Sequence, residues 1–253
     1  MQFMNQSSET IAKNIFRVRQ AIAEAARAAN RSPEEIKLIA VTKTQSPDAV
    51  TAAVAAGIGD FGENTTQEAL PKISRLASHS ITWHFIGHLQ TNKAKFIPGN
   101  FFWLHSLDNL GLARRLSRLA QEKKTSINTL IEVNVSQDLR KHGIVPLALF
   151  DFIEKLIDEN LPALPLRGLL TIGPYPASET EIRRCFATLR DLRDECRKRF
   201  AVPDFTELSM GMSGDFVAAI KEGSTMVRIG TAIFGERGYA KKYLRPWSNH
   251  GPT

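Results

Sequence analysis

Cysteine is scarce: two residues in a chain of 253. That excludes a disulfide-dense secreted scaffold. Cys185 and Cys196 fall on one helical stretch, where eleven residues span ~16 Å, well past the ~7 Å reach of a disulfide. They read as reduced thiols of a cytoplasmic protein. No apolar run approaches the ~20 residues of a membrane span. The opening MQFMNQSSET has neither the basic start nor the apolar run of a signal peptide. Solenoid repeats and low-complexity linkers are missing too. The net charge of +7 favours anionic ligands. Yet the densest basic stretch, residues 183–199, also carries Asp191, Asp194 and Glu195, and reads as a solvated helix face. Lys241, Lys242 and Arg245 read as a solvated tail. With no recognition motif present, neither nucleic acid nor a membrane is expected as a partner. What remains is an ordinary globular composition, 43% hydrophobic and 23% charged.

Helix and strand patterns alternate along the chain. Ile11, Ile15, Val18, Ile22 and Ala25 recur at helical spacing within residues 8–30. Strand patterns follow at 37–43, 59–64, 81–87, 101–107, 128–135, 167–172, 206–210 and 226–229. Ser46 and Pro47 start a helix through Ala56, and residues 108–124 and 146–160 read as the clearest later helices. Each interval between strands can be helical, and such alternation needs crossovers and a parallel sheet. An open doubly wound sheet shares this pattern, but eight units favour a closed (β/α)8 barrel. The expectation is an α/β fold of one domain over 1–253: an extra N-terminal helix (1–36), the barrel (37–235) and a tail (236–253).

Such a barrel does its chemistry at the C-terminal ends of its strands. Polar residues fall there on nearly every strand: Lys43, Asn64, His84 with His88, Ser106, Asn134, Thr171, Ser209, and Gly230 with Thr231. Lys43 shares a strand face with Ile39 and Val41. It either snorkels to water or stands partly desolvated as an amine nucleophile toward aldehydes. Arg228 lies inside the apolar run MVRIG and needs a partner: a carboxylate, or the ring nitrogen or phosphate of a ligand. Ser209, Met210, Gly211, Met212, Ser213 and Gly214 form a loop rich in hydroxyls and backbone N–H before a short helix at 215–221. Barrels often bind phosphate with the loops after strands seven and eight. No metal set is read. His84 and His88 have an i, i+4 spacing, but a strand and Gly87 separate them instead of a helix, and His105 and His142 add no ligand spacing. No Ser-His-Asp or Cys-His arrangement is visible.

Five motifs, KLIAVTK (37–43), FGEN (61–64), HFIGHLQTNK (84–93), LSMGMS (208–213) and GSTMVRIGTAIFG (223–235), closely resemble the pyridoxal phosphate homeostasis proteins, the YggS/PROSC family. The resemblance runs from about Lys37 to Gly235. It implies a barrel like the N-terminal domain of alanine racemase, of the fold-type III class, with pyridoxal 5′-phosphate held as a Schiff base by Lys43. It places Arg228 at the pyridine ring or the phosphate, with the ring nitrogen preferred, and Ser209, Met210, Gly211, Ser213, Gly230 and Thr231 around the phosphate. Asn64 and His84 stand near the pocket. Thr65 and Thr66 replace an aromatic and a small apolar residue of the family pattern, which widens or wets one wall. The segment VSQDLRKHG (135–143) keeps the family's lysine-x-glycine ending, and Lys141 there either covers the ligand or is solvated, the second being preferred.

The resemblance implies a vitamin B6 cofactor carrier in the cytoplasm, storing and delivering the cofactor without catalysis, with cofactor-dependent apo-enzymes as recipients. The alternative is a fold-type III amino-acid racemase or lyase. Against it, the barrel is expected to use the whole chain. Tyr175, Tyr239 and Tyr243 sit in no catalytic motif, and an arginine at the ring nitrogen weakens the electron sink. A monomer is expected.

Overall fold

The structure, a computed structural model that describes residues 7–235, begins with helix α1 (Ser8–Ala28). Ser7 caps it, its hydroxyl accepting from Thr10 N at 3.2 Å. Ile11, Ile15, Val18, Ile22 and Ala25 are all buried, as their spacing requires. Eight parallel strands follow: β1 (Lys37–Val41), β2 (Asp60–Glu63), β3 (Thr82–Phe85), β4 (Trp103–Leu107), β5 (Asn128–Glu132), β6 (Leu166–Leu170), β7 (Glu207–Ser209) and β8 (Met226–Ile229). They form a closed barrel in chain order. β8 returns to β1 with Lys37 opposite Met226 and Ile39 opposite Arg228. The open doubly wound alternative is thereby excluded.

Helices α2 (Pro47–Ala55), α3 (Thr66–Arg75), α4 (Leu110–Glu122), α5 (Leu149–Asp158), α6 (Glu179–Phe200), α7 (Phe216–Lys221) and α8 (Thr231–Phe234) surround the barrel. One expected helix is not α-helical: between β3 and β4 only a 3-10 segment forms, Thr91–Phe96, stopped by Pro98 and by Gly99 at φ +81°. α8 is a single turn. α1 packs against α2, α7 and α8 and fills the outer ring there. The tail expected at 236–253, with Lys241, Lys242, Arg245 and two tyrosines, lies outside the described residues. Among the described residues no helix is long and apolar enough to cross a membrane.

All the strands but β4 and β8 end earlier than the patterns suggest. The ladder from β1 to β2 stops with Thr42 N donating to Gly62 O at 3.0 Å. The chain then turns out at Thr44, φ +65°, so Lys43 follows β1 instead of ending it. Likewise Asn64, His88, Asn134 and Thr171 follow their strands, while His84 and Ser106 lie inside theirs.

Two apolar layers result. The larger lies between strands and helices. The smaller, Ile39, Trp103, Leu130, Leu170 and Met226, fills the barrel itself, as alternating inward positions dictate. Leu130 is fully buried there. Leu130→Ala is expected to lower unfolding stability by about 2–5 kcal/mol in urea melts; an unchanged midpoint contradicts a packed interior.

Candidate functional site

Lys43 is held in place by its neighbours. Thr42 donates its hydroxyl to Glu63 Oε1 at 2.6 Å, and Lys72 on α3 donates to the same oxygen at 2.7 Å and to Thr42 O at 2.6 Å. This buried ion pair joins β1, β2 and α3. Burial pushes the Glu63 carboxyl up, and Lys72 opposes the shift. On the other side, Thr44 N donates to Glu68 Oε2 at 2.8 Å. Lys43, half-buried, sits between the two anchors at the barrel mouth.

Beneath the mouth lies a polar file inside the barrel. Arg228 is 4% exposed, and its guanidinium donates to Ser209 Oγ at 2.8 Å and to Thr171 O at 3.1 Å. Ser209 Oγ lies 2.9 Å from His105 Nδ1, His105 Nε2 lies 2.9 Å from His84 Nδ1, and His84 Nε2 lies 2.9 Å from Asp60 Oδ1. Arginine has donors only. Ser209 therefore accepts from Arg228 and gives its one proton to His105. His105 donates to His84, and His84 to Asp60. All donors point one way, toward the N-terminal mouth, where Asp60 also pairs with Lys37 at 3.2 Å. Both rings stay neutral in this file: burial pulls His105 well below the usual imidazole range, and pulls His84 down against the opposing Asp60. A cleft of about 550 Å³, lined by Lys37, Asp60, Glu207 and Thr225, opens at that far end.

At the near end, the loops after β7 and β8 are tied together. Ala232 N donates to Ser213 Oγ at 3.2 Å, and Arg228 N donates to Gly211 O at 3.0 Å. Gly211 has φ +97°, and a Cβ there would stand 2.7 Å from Ala219 Cβ and 2.9 Å from Phe216 Cα. Only glycine lets the loop lie this close to α7. Opposite stands Glu132, at the end of β5. Burial raises its carboxyl to about 7, Asp108 adds to the rise, and Arg228 opposes it.

The family model for the N-terminal domain of alanine racemase matches residues 15–238. A protein of Pseudomonas aeruginosa named pyridoxal phosphate homeostasis protein is 46% identical over 230 residues, covering 91% of this chain and 97% of its own. One of Escherichia coli K12 with the same name is 44% identical, covering 92% and 99%. The chain belongs to the pyridoxal phosphate homeostasis protein family. PipY of Synechococcus elongatus, 36% identical in its structure without PLP, matches with a TM-score of 0.81 over 89% of this chain and all of that one. PipY with PLP bound matches at 35% identity and a TM-score of 0.79. Alanine racemase of Corynebacterium glutamicum, at 19% identity and a TM-score of 0.66, shares the fold; the chain covers 62% of it.

In this family member the expected site residues divide into two groups. Lys43, Asn64, Gly211, Ser213, Arg228, Gly230 and Thr231 gather around the C-terminal mouth. Asn64 O closely faces Gly87, where a Cβ would stand 2.2 Å away. Gly230 lies against Val41. Ser209, the last residue of β7, supports the mouth through Arg228, and Met210 and His84 turn their side chains elsewhere. Ser209 is spent on Arg228 and His105. Met210 has its side chain in the outer core and its backbone bonded to Met226 O and Ser224 Oγ. His84 uses both ring nitrogens inside the barrel and stacks on Trp103, centroids 5.8 Å apart. Lys141 is half-buried and tethered: its ammonium bonds Gly173 O at 2.8 Å and Ile172 O at 3.2 Å. Thr65 caps α3 and Thr66 is buried. Cys185 and Cys196 are buried free thiols pushed up to about 11 and 12, so neither is a nucleophile. His105, Lys72 and Glu132 carry the architecture without any sequence motif to flag them, and Glu63 lies in the FGEN motif without its spacing announcing the pair with Lys72.

Glu132 makes stability pH-dependent. Its folded pKa, about 7, lies above the ordinary 4.5, so the folded state keeps a proton that the unfolded chain releases. That contribution is lost as pH rises from 4.5 through 7, by up to about 3 kcal/mol. Urea unfolding at pH 5 and pH 8 should show Glu132→Gln losing less stability with rising pH than the parent. Parallel losses contradict the assignment.

Proposed function

We propose that the chain binds pyridoxal 5′-phosphate on Lys43 and, as a monomer in the cytoplasm, stores the cofactor and delivers it to apo-enzymes without catalysing a reaction. One observation supports this above the rest. A primary amine anchored on both sides, a buried guanidinium and two linked hydroxyl- and glycine-bearing loops converge on one barrel mouth. The donor set fits the cofactor's chemistry. Its aldehyde calls for an amine, its pyridine nitrogen for a hydrogen-bond donor, and its phosphate for hydroxyl and backbone N–H groups. Lys43 would hold the aldehyde carbon as a Schiff base. Arg228 would face the ring nitrogen, and Ser213, Gly211, Gly230 and Thr231 the phosphate. Relatives named for pyridoxal phosphate homeostasis, and PipY solved with PLP bound, support the same reading.

Once bound, such a cofactor supplies an electron sink when its ring nitrogen is protonated. The charge on Arg228 opposes that protonation. Burial lowers its pKa only to about 10, so it stays charged at neutral pH. Storage is thus favoured over turnover. The two buried, reduced cysteines support the cytoplasmic assignment. A racemase or lyase is the second reading. It draws on Glu132, whose pKa near neutrality suits a proton-transfer group. Among the described residues the tyrosine is Tyr175, with 88% exposure.

Lys43→Ala decides between these readings. The purified parent should take up pyridoxal phosphate with a yellow band. The variant should lose the band and keep weaker, phosphate-driven binding. Neither should turn over amino acids at a measurable rate. A rate abolished by Lys43→Ala establishes the enzyme, and an unchanged band in the variant removes Lys43 from the site.

A further inference from the structure

We propose a transition-metal site at the barrel mouth, formed by His88, Asp108 and His142 and suited to Zn²⁺. These residues follow β3, β4 and β5. By spacing alone His88 pairs with His84, and that pair makes no site: the fold sends His84 into the barrel. It brings two other donors to His88 from 20 and 54 positions away. One donor atom from each residue lies within 4.8 Å of the other two. His88 Nδ1 stands 3.4 Å from Asp108 Oδ2. A tetrahedral ion with bonds of about 2.0–2.2 Å sets its donors about 3.3 Å apart, so this edge is already formed. Asn109 Nδ2 donates to Asp108 Oδ1 at 3.1 Å. That orients the carboxylate and leaves Oδ2 for the ion, as an outer partner does in metal sites.

The two imidazoles stack, centroids 3.7 Å apart and planes 9° from parallel. A ring nitrogen directs its lone pair in the ring plane, and parallel planes do not meet at an ion. Binding therefore turns one ring about its Cβ–Cγ bond. Both histidines are exposed, so no core packing resists the turn. Two imidazoles and one carboxylate favour zinc, copper, nickel or cobalt over magnesium and calcium, which prefer all-oxygen sets. Three protein ligands leave a fourth position for water or a small ligand.

The ion would also act on the loop after β5. Lys141 ties that loop to β6 through Ile172 O and Gly173 O. His142 on the ion would tie it to the ends of β3 and β4. The loop would then be strapped across the mouth from both sides. None of this requires a bound cofactor.

The test uses chelator-treated full-length protein with no cofactor added. It is titrated with ZnCl₂ by calorimetry and with CoCl₂ by visible absorption. One ion per chain, micromolar or tighter, and ligand-field bands with Co²⁺ are expected, with no heat from Mg²⁺. His88→Gln and His142→Gln should each weaken Zn²⁺ by at least about tenfold, and His79→Gln should not. Zn²⁺ should slow tryptic cleavage after Arg140 and Lys141 in the parent but not in His142→Gln. Lys43→Ala should bind Zn²⁺ as the parent does, which separates this site from the cofactor. No stoichiometric Zn²⁺ binding overturns the proposal. So does binding that both His88→Gln and His142→Gln retain, which assigns the ion to another place such as His250.

Discussion

A guanidinium buried in the throat of a barrel must be satisfied, and the arrangement around Arg228 follows from that need. Isolated burial of such a charge is prohibitive. Here Ser209 and Thr171 accept its protons, and Glu132 faces it without a full counter-charge at neutral pH. Arg228 in turn fixes the direction of every hydrogen bond below it. Because it can only donate, Ser209, His105 and His84 hand protons onward toward Asp60. The polar file replaces part of an apolar interior and leaves one group, the guanidinium, pointing at the mouth. Both histidines stay neutral, so the charges lie at the two ends.

The second constraint is the Glu63–Lys72 pair. Removing one partner of a buried pair leaves an uncompensated charge and costs about 3–5 kcal/mol, so the pair locks the ends of β1 and β2 against α3. It holds Thr42, and Thr42 fixes where Lys43 emerges. Stability is therefore concentrated beside Lys43. The Ser213–Ala232 link does the same for the β7 and β8 loops.

Much of this is legible in the sequence. The spacing of Ile11, Ile15, Val18 and Ile22 reveals α1, and alternation reveals eight parallel strands. Lys43 and Arg228 stand out because a charge inside an apolar run demands an explanation. What periodicity cannot show is which side of a strand end a residue falls on. Thr44 turns the chain at positive φ without glycine or asparagine to announce it. His84 lies inside β3 with both ring nitrogens engaged in the barrel, and Met210 turns its side chain into the outer core, which the apolar runs alone do not show. Lys72 and Glu63 are nine residues apart across a strand–helix turn, and nothing in their spacing marks a pair. His88, Asp108 and His142 meet only because three consecutive barrel loops share one rim.

The central claim is that Lys43 is the amine that carries the cofactor. The direct measurement is borohydride reduction of the protein loaded with pyridoxal phosphate, followed by peptide mass mapping. The account predicts a phosphopyridoxyl adduct on Lys43, with Lys72 and Lys141 unmodified. An adduct on another lysine, or none at all, contradicts it.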